Sequence, residues 1–249
     1  MLNEQTSAKL AELKLSGMLE SYHEQMTNKD YQSMSFEDRF NLMVDLEYSR
    51  RKNNKLQRLI KAANFRNSTA SIEDIEYHTD RNLDKNLILK LASGIYLEDH
   101  HNLILMGASG NGKTYIANAF GMQACRQHYN VKYIRLPELL DELTISKNQA
   151  DGSFRKIINK YKKVQLLIID EWLLTDLSLE NSTFLLGIIE SRLKTASTIF
   201  CSQFHPEGWH AKLGNPQIAD AILDRIIHDS YQILVDGKVS MRERHGIHN

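Results

Sequence analysis

The sequence predicts an α/β protein: a parallel β-sheet with helices on both faces, preceded by a small all-helical N-terminal domain. Two observations carry that expectation. From residue 102 onward, short β-type runs alternate with longer helical patterns, the rhythm of a parallel sheet covered on both sides. Before residue 66, apolar residues recur at helical spacing instead. Composition sets the outer limits. The chain has 249 residues, 42% apolar and 25% charged, which suits one standard domain with an appendage and excludes disorder. No run approaches the length of a membrane span. The N-terminus MLNEQTSAKLAELKL lacks the apolar core of a secretion signal, so a cytoplasmic protein is expected. Two cysteines are too few for a disulfide framework or a zinc site. The 31 basic and 31 acidic residues balance, which argues against a surface coated uniformly in positive charge but leaves room for local patches.

Taken in order, Leu10, Leu13 and Leu15 begin one helical stripe, Gly17 interrupts it, and Met18, Leu19, Tyr22 and Met26 continue a second. Ser35 followed by Asp38 reads as an N-cap with an acidic first turn. The helix it starts carries Phe36, Phe40, Met43, Leu46 and Tyr48 on one face, then enters a stretch from Arg50 to Arg66 that holds seven bases and no acid. The small polar segment NSTAS at 67–71 reads as a hinge, which divides the chain into 1–66 and 67–249. After it, the strands are NLILM at 102–106, VKYIRL at 131–136, VQLLIID at 164–170, TIFCS at 198–202 and YQILV at 231–235, with helical patterns at 115–128 and 182–194 among the intervening segments.

The most informative residues are Gly107, Ala108, Ser109, Gly110, Asn111, Gly112, Lys113 and Thr114, which match G-x-x-x-x-G-K-[ST]. Glycines let successive N–H groups curl inward toward phosphate oxygens, and the following helix, beginning at Tyr115, adds its positive end. Lys113 would reach the β- and γ-phosphates of ATP, and the Thr114 hydroxyl would ligate Mg²⁺. At average glycine usage, a chance match in a chain of this length is on the order of one in a hundred. The flanking strand and helix are also the required context. A second element, Leu166 to Glu171, is an apolar strand ending in two carboxylates, placed where ligands bind in open α/β sheets. Asp170 would hold Mg²⁺ through water and Glu171 would polarise the attacking water; a helix N-cap is the plain alternative for Asp170. Together the two elements point to a P-loop ATPase of the branch that carries a catalytic glutamate.

These segments, with TIFCSQFHPEGWHAKLGNPQIADAILDRIIHDSYQI and the N-terminal LAELKLSGM and SFEDRFNLMVDLEYSRRKNNKLQRLIKAANF, resemble the IstB-like group of AAA+ ATPases. These are transposition helper proteins of insertion sequences, related to the DnaC and DnaI helicase loaders. The resemblance covers nearly the whole chain. It implies an ATP-dependent homo-oligomer, ring or spiral, that binds duplex DNA largely without regard to sequence, deforms it and presents it to a partner transposase; a replicative helicase loader is the alternative. The resemblance also implies residue roles. Gln203, where the family has asparagine, would sense the γ-phosphate. Arg225 would be an arginine finger acting on a neighbouring subunit's nucleotide, with a salt bridge to Asp224 or Asp229 as the alternative. Arg242 stands where a second sensor would be. Only fourteen residues follow Val235, so a full C-terminal lid is not expected.

Two basic regions suit phosphate backbone. Arg51, Lys55, Arg58 and Lys61 would line one helix face, and Arg155, Lys156 and Lys160 lie in a second cluster that runs on to Lys163; a solvated helix face is the alternative for each. Trp172 reads as packing, and Cys125 and Cys201 as small hydrophobes. His205 and His210 lack a third ligand at metal spacing, and His245 and His248 are assigned no role.

Overall fold

The computed structural model describes residues 2–149 and 151–246. The chain divides into two compact units, residues up to Arg58 and residues from Leu59 on.

The first unit holds α1 (Leu2–Glu12), α2 (Ser16–Thr27), a 3₁₀ turn (Lys29–Ser33) and most of α3 (Phe36–Ala63). The break between α1 and α2 falls at Lys14, whose φ of 57° is left-handed, not at Gly17. Gly17 instead lies inside α2 and marks a close approach, since a Cβ there would sit 2.7 Å from the Glu47 Cα. The Glu47 carboxylate accepts the Gly17 N–H at 2.7 Å and the Arg51 Nε–H at 2.5 Å. The Arg51 bond is the main cause that holds this carboxylate below its ordinary range. Ser35 caps α3, accepting the Asp38 N–H at 3.1 Å. The apolar face expected on α3 is not all buried: Phe36, Phe40 and Tyr48 are exposed.

In the second unit, α3 ends at Asn64, a left-handed residue (φ 58°) that stops the helix. Residues 67–71, where the sequence predicts a hinge, form a tight turn in which Asn67 Oδ1 accepts the Thr69 N–H at 3.0 Å; Ala70 within it and Ile72 and Ile75 after it are buried. Then come α4 (Lys85–Ala92), α5 (Ile95–Glu98), β1 (Asn102–Met106), α6 (Lys113–Arg126), β2 (Val131–Arg135), α7 (Leu136–Asn148), α8 (Ser153–Lys163), β3 (Leu166–Trp172), α9 (Leu179–Arg192), β4 (Ser197–Ser202), α10 (Pro216–Ile227), β5 (Ser230–Leu234) and α11 (Met241–Arg244). All five expected strands form. They make one parallel sheet in the order β2-β3-β4-β1-β5, so β4 intervenes between the strand before the glycine loop and the strand bearing the two acids. Strands β1, β3 and β4 are buried almost throughout, as a sheet covered on both faces requires.

Core packing explains the aromatics beside the acids. Trp172 is fully buried, its ring centroid 4.7 Å from Phe200 and 5.7 Å from Trp209, so it packs as expected. Cys125 and Cys201 are buried free thiols, and burial pushes both thiols up. After β5 the described chain adds only α11. Among the described residues no helix is long and apolar enough to cross a membrane.

Candidate nucleotide site

The loop between β1 and α6 is shaped by three left-handed glycines: Gly107 (φ 145°), Gly110 (88°) and Gly112 (92°). At Gly107 a side chain would also collide with the Val235 carbonyl oxygen. Lys113, first residue of α6, is buried and folds back, its Nζ donating to the carbonyls of Gly107 at 2.6 Å and Ala108 at 2.8 Å. Burial pulls its ammonium below the ordinary lysine range, so an anion in the loop would be met by a cation short of charge partners. The Asn111 Nδ2 is buried with no partner, and its carbonyl is held by Arg81 Nη2 at 2.8 Å. Ser109 lies exposed at the tip of the loop, and Tyr115 lines the cavity beside it.

Across β4, Asp170 is buried at the end of β3. Its Oδ2 accepts the Thr114 hydroxyl at 2.7 Å and the Tyr133 hydroxyl at 2.8 Å, while Oδ1 accepts the Glu171 N–H at 2.9 Å. The N-cap alternative for Asp170 therefore fails, because the carboxylate faces the loop. A register shift in β3 between Ile169 and Trp172 sets Glu171 in a left-handed conformation (φ 57°). This half-exposes a carboxylate that a regular strand would alternate away. Arg135 Nη1 lies 3.7 Å from it.

The tail reaches the same place. Ser240 caps α11, the Met241 N–H donates to the Gly110 carbonyl at 3.0 Å, Arg244 pairs with Asp80, and His245 lies 2.8 Å from Glu76. Thus His245, assigned no role above, lines the site; His248 lies outside the described residues. Two openings flank the glycine loop. One, of about 330 Å³, is lined by Ile75, Tyr115, Ile116 and Met241 with Asp74, Glu76 and Arg81. The other, of about 390 Å³, is lined by Arg66, Gly110, Thr114, Arg242 and His245. Arg242 therefore reaches the loop.

Gln203 follows β4 and is exposed. The buried hydroxyl there is that of Ser202, which donates to the Trp172 carbonyl at 3.1 Å. Arg225 lies with Asn102 and Thr198 at the N-terminal ends of the strands, away from its own glycine loop. It pairs with Glu190 at 2.9 Å rather than with Asp224 or Asp229. On α8, Arg155, Lys156 and Lys160 are exposed while Phe154, Ile157 and Ile158 pack on the core; Lys160 lies 3.5 Å from Glu142. On α3, Lys55, Arg58 and Lys61 are exposed, but Arg51 is held by Glu47. No cluster of three or more His, Cys, Asp or Glu side chains fit to hold a metal ion occurs among the described residues, and His210 pairs with Asp220. Sequence reasoning missed Tyr133, Arg81 and Arg66 as site residues. Only the β2–β3 register, which sets Arg135 opposite Asp170, brings Tyr133 within reach.

A glycine loop cradling a buried lysine, with a threonine and an aspartate hydrogen-bonded across an intervening strand, defines a P-loop nucleotide-binding protein of the AAA+ fold. The chain belongs to the IstB-like ATP binding protein family, whose model matches residues 8–248. It is 35% identical over 244 residues, 98% of each chain, to an insertion sequence ATP-binding protein of Sinorhizobium fredii. It is 40% identical over 203 residues, 82% of this chain and 87% of the other, to the ATP-binding protein of insertion sequence IS1162 from Pseudomonas fluorescens. Among solved structures, DnaI has a TM-score of 0.56 at 23% identity, covering 70% of this chain and 91% of that one. The DnaC helicase loader has 0.56 at 16%, covering 66% and 96%. These two show the fold.

Proposed function

We propose that the protein is an Mg²⁺-dependent ATPase that assembles on duplex DNA and regulates transposition through a partner transposase. The observation that carries the ATPase reading is the Thr114–Asp170–Tyr133 cluster beside a left-handed Glu171. The residues suit the nucleotide: Lys113 and the orphaned Asn111 amide supply donors, and the apolar opening at Ile75 and Ile116 suits a base. Thr114 and Asp170 would hold Mg²⁺, which supplies charge neutralisation at the β- and γ-phosphates. Glu171 accepts a proton from water as general base, and Gln203 and Arg242 donate to the terminal phosphate. Arg225, remote from its own loop, is suited to a neighbour's nucleotide, and releasing it requires breaking the Glu190 pair.

The family match supports the transposition setting, because the relatives are proteins of insertion sequences. Exposed Lys55, Arg58 and Lys61, with the α8 cluster, supply phosphate contacts that read no sequence. A nucleotide titration tests the core of this reading. Lys113→Ala should lose ATP binding, whereas Glu171→Gln should bind ATP and hydrolyse it slowly. Unchanged affinity in the first variant would refute the P-loop assignment.

A further inference from the structure

We propose that Arg66 is a ligand of the γ-phosphate of bound ATP, donated in cis by the turn that follows α3. The sequence groups Arg66 with the cationic stretch that begins at Arg50, as one more phosphate-backbone contact. The structure separates it from that stretch. Helix α3 stops at left-handed Asn64, and the next residue, Phe65, is set against the helix that follows the glycine loop. A Cβ on Gly121 of α6 would lie 2.5 Å from the Phe65 ring, so that glycine is the seat for the ring. With Phe65 fixed there, Arg66 lines the opening of about 390 Å³ together with Gly110, Gly112, Thr114 and Arg242.

Three features assign it a ligand role. Arg66 is exposed, and among the described residues it has neither a hydrogen bond nor an ion pair, so its donors are free. Its charge reaches toward the metal side of the site: Glu138 is held low first by its bond to Arg135 and also feels Arg66, as does Tyr133. The apolar opening that suits a base has no Arg66 in its lining. Arg66 therefore faces the phosphate end, on the Thr114 side. A guanidinium fork suits a dianionic terminal phosphate better than an ammonium, because its planar donors pair with two oxygens.

The inference rests on the P-loop reading, so the experiment separates the two. Wild type, Arg66→Ala, Arg66→Lys and Lys113→Ala are titrated with fluorescent ATP and ADP analogues, and duplex-DNA affinity is measured against salt at saturating nucleotide. Arg66→Ala should weaken ATP binding by about tenfold or more, the usual scale for a charge-assisted bond. ADP binding should change by less than about twofold, and Arg66→Lys should fall between. The DNA salt slope should not move. An ATP-to-ADP affinity ratio equal to wild type, or equal loss of both nucleotides, overturns the assignment. So does an unchanged ratio with a slope flatter by about 0.9, the signature of one duplex phosphate contact. If Lys113→Ala also binds ATP normally, the P-loop reading itself has failed.

Discussion

Replacing Tyr133 with phenylalanine removes one hydroxyl from a buried hydrogen-bond cluster around Asp170. The hydroxyl is buried and donates at 2.8 Å to the same Asp170 oxygen that Thr114 donates to at 2.7 Å. A hydrogen bond to a charged group contributes about 1.5–3 kcal/mol. Asp170 would keep Thr114 and the Glu171 N–H, so the loss in the free protein should sit near the lower end, about 1.5 kcal/mol. For a unit of this size that corresponds to a fall in Tm of about 3–6 °C. The effect on ligand binding should be larger when magnesium is present, because a Thr114 hydroxyl serving the metal leaves Tyr133 as the hydroxyl donor to Oδ2. About 1.4 kcal/mol is tenfold, so the Mg²⁺-dependent gain in ATP affinity should shrink by about tenfold while Mg²⁺-free affinity barely moves. Thermal denaturation and paired titrations in magnesium and in chelator read both quantities. A variant with wild-type Tm and an undiminished magnesium gain would show that Tyr133 only fills space.

Gly107→Ala should abolish nucleotide binding and lower stability, because a left-handed φ and the Val235 carbonyl both oppose a side chain; normal binding in a titration would contradict this. Stability should decline in alkali. Burial raises the phenols of Tyr96, Tyr133 and Tyr161 above their ordinary 10.0 and the Cys125 thiol from 9.0 to about 12. The unfolded chain therefore sheds protons that the native state keeps, and stability present below about pH 9 is lost as pH rises; denaturant titrations from pH 7 to 11 should show a falling midpoint. Replacing Lys55, Arg58 and Lys61 together by alanine should flatten the DNA salt slope by up to about 2.7 units, at about 0.9 per contact. Arg51→Ala should chiefly lower stability, since Glu47 holds its guanidinium; anisotropy across a salt series distinguishes the two. Mixed Arg225→Ala and Lys113→Ala proteins should regain some ATPase activity, and no recovery in confirmed mixed oligomers would deny the finger a role in trans.

Much of this was legible in the order of the residues. The glycine loop and the strand ending in Asp170 and Glu171 are local patterns, and local patterns survive without knowledge of the fold. The β-branched Val164 draws the sequence's start of β3 two residues too early, whereas the strand begins at Leu166 and extends through Trp172. Glycine weakens helices, so Gly17 predicts a break, but close approach to the Glu47 backbone gives it a place inside α2. Residues whose role depends on register or on a distant segment were out of reach. Tyr133 lies on an edge strand with no motif, Arg66 hides in a run of bases, and His245 pairs with Glu76 across most of the unit's sequence. Helix α3 shows the opposite failure: its periodicity is genuine, yet part of the apolar stripe faces solvent.

The left-handed backbone at Glu171 has an evolutionary consequence. A side chain in that conformation costs about 1–2 kcal/mol relative to the right-handed region, and glycine would remove most of that strain. The general-base role proposed for Glu171 therefore sets function against stability at this position, since the substitution that most relieves the backbone also removes the carboxylate. Copies of the chain released from selection for turnover should accumulate small flexible residues at 171 before they lose the glycine loop. A lineage that keeps glutamate there is one in which the carboxylate has been retained against the preference of its own backbone.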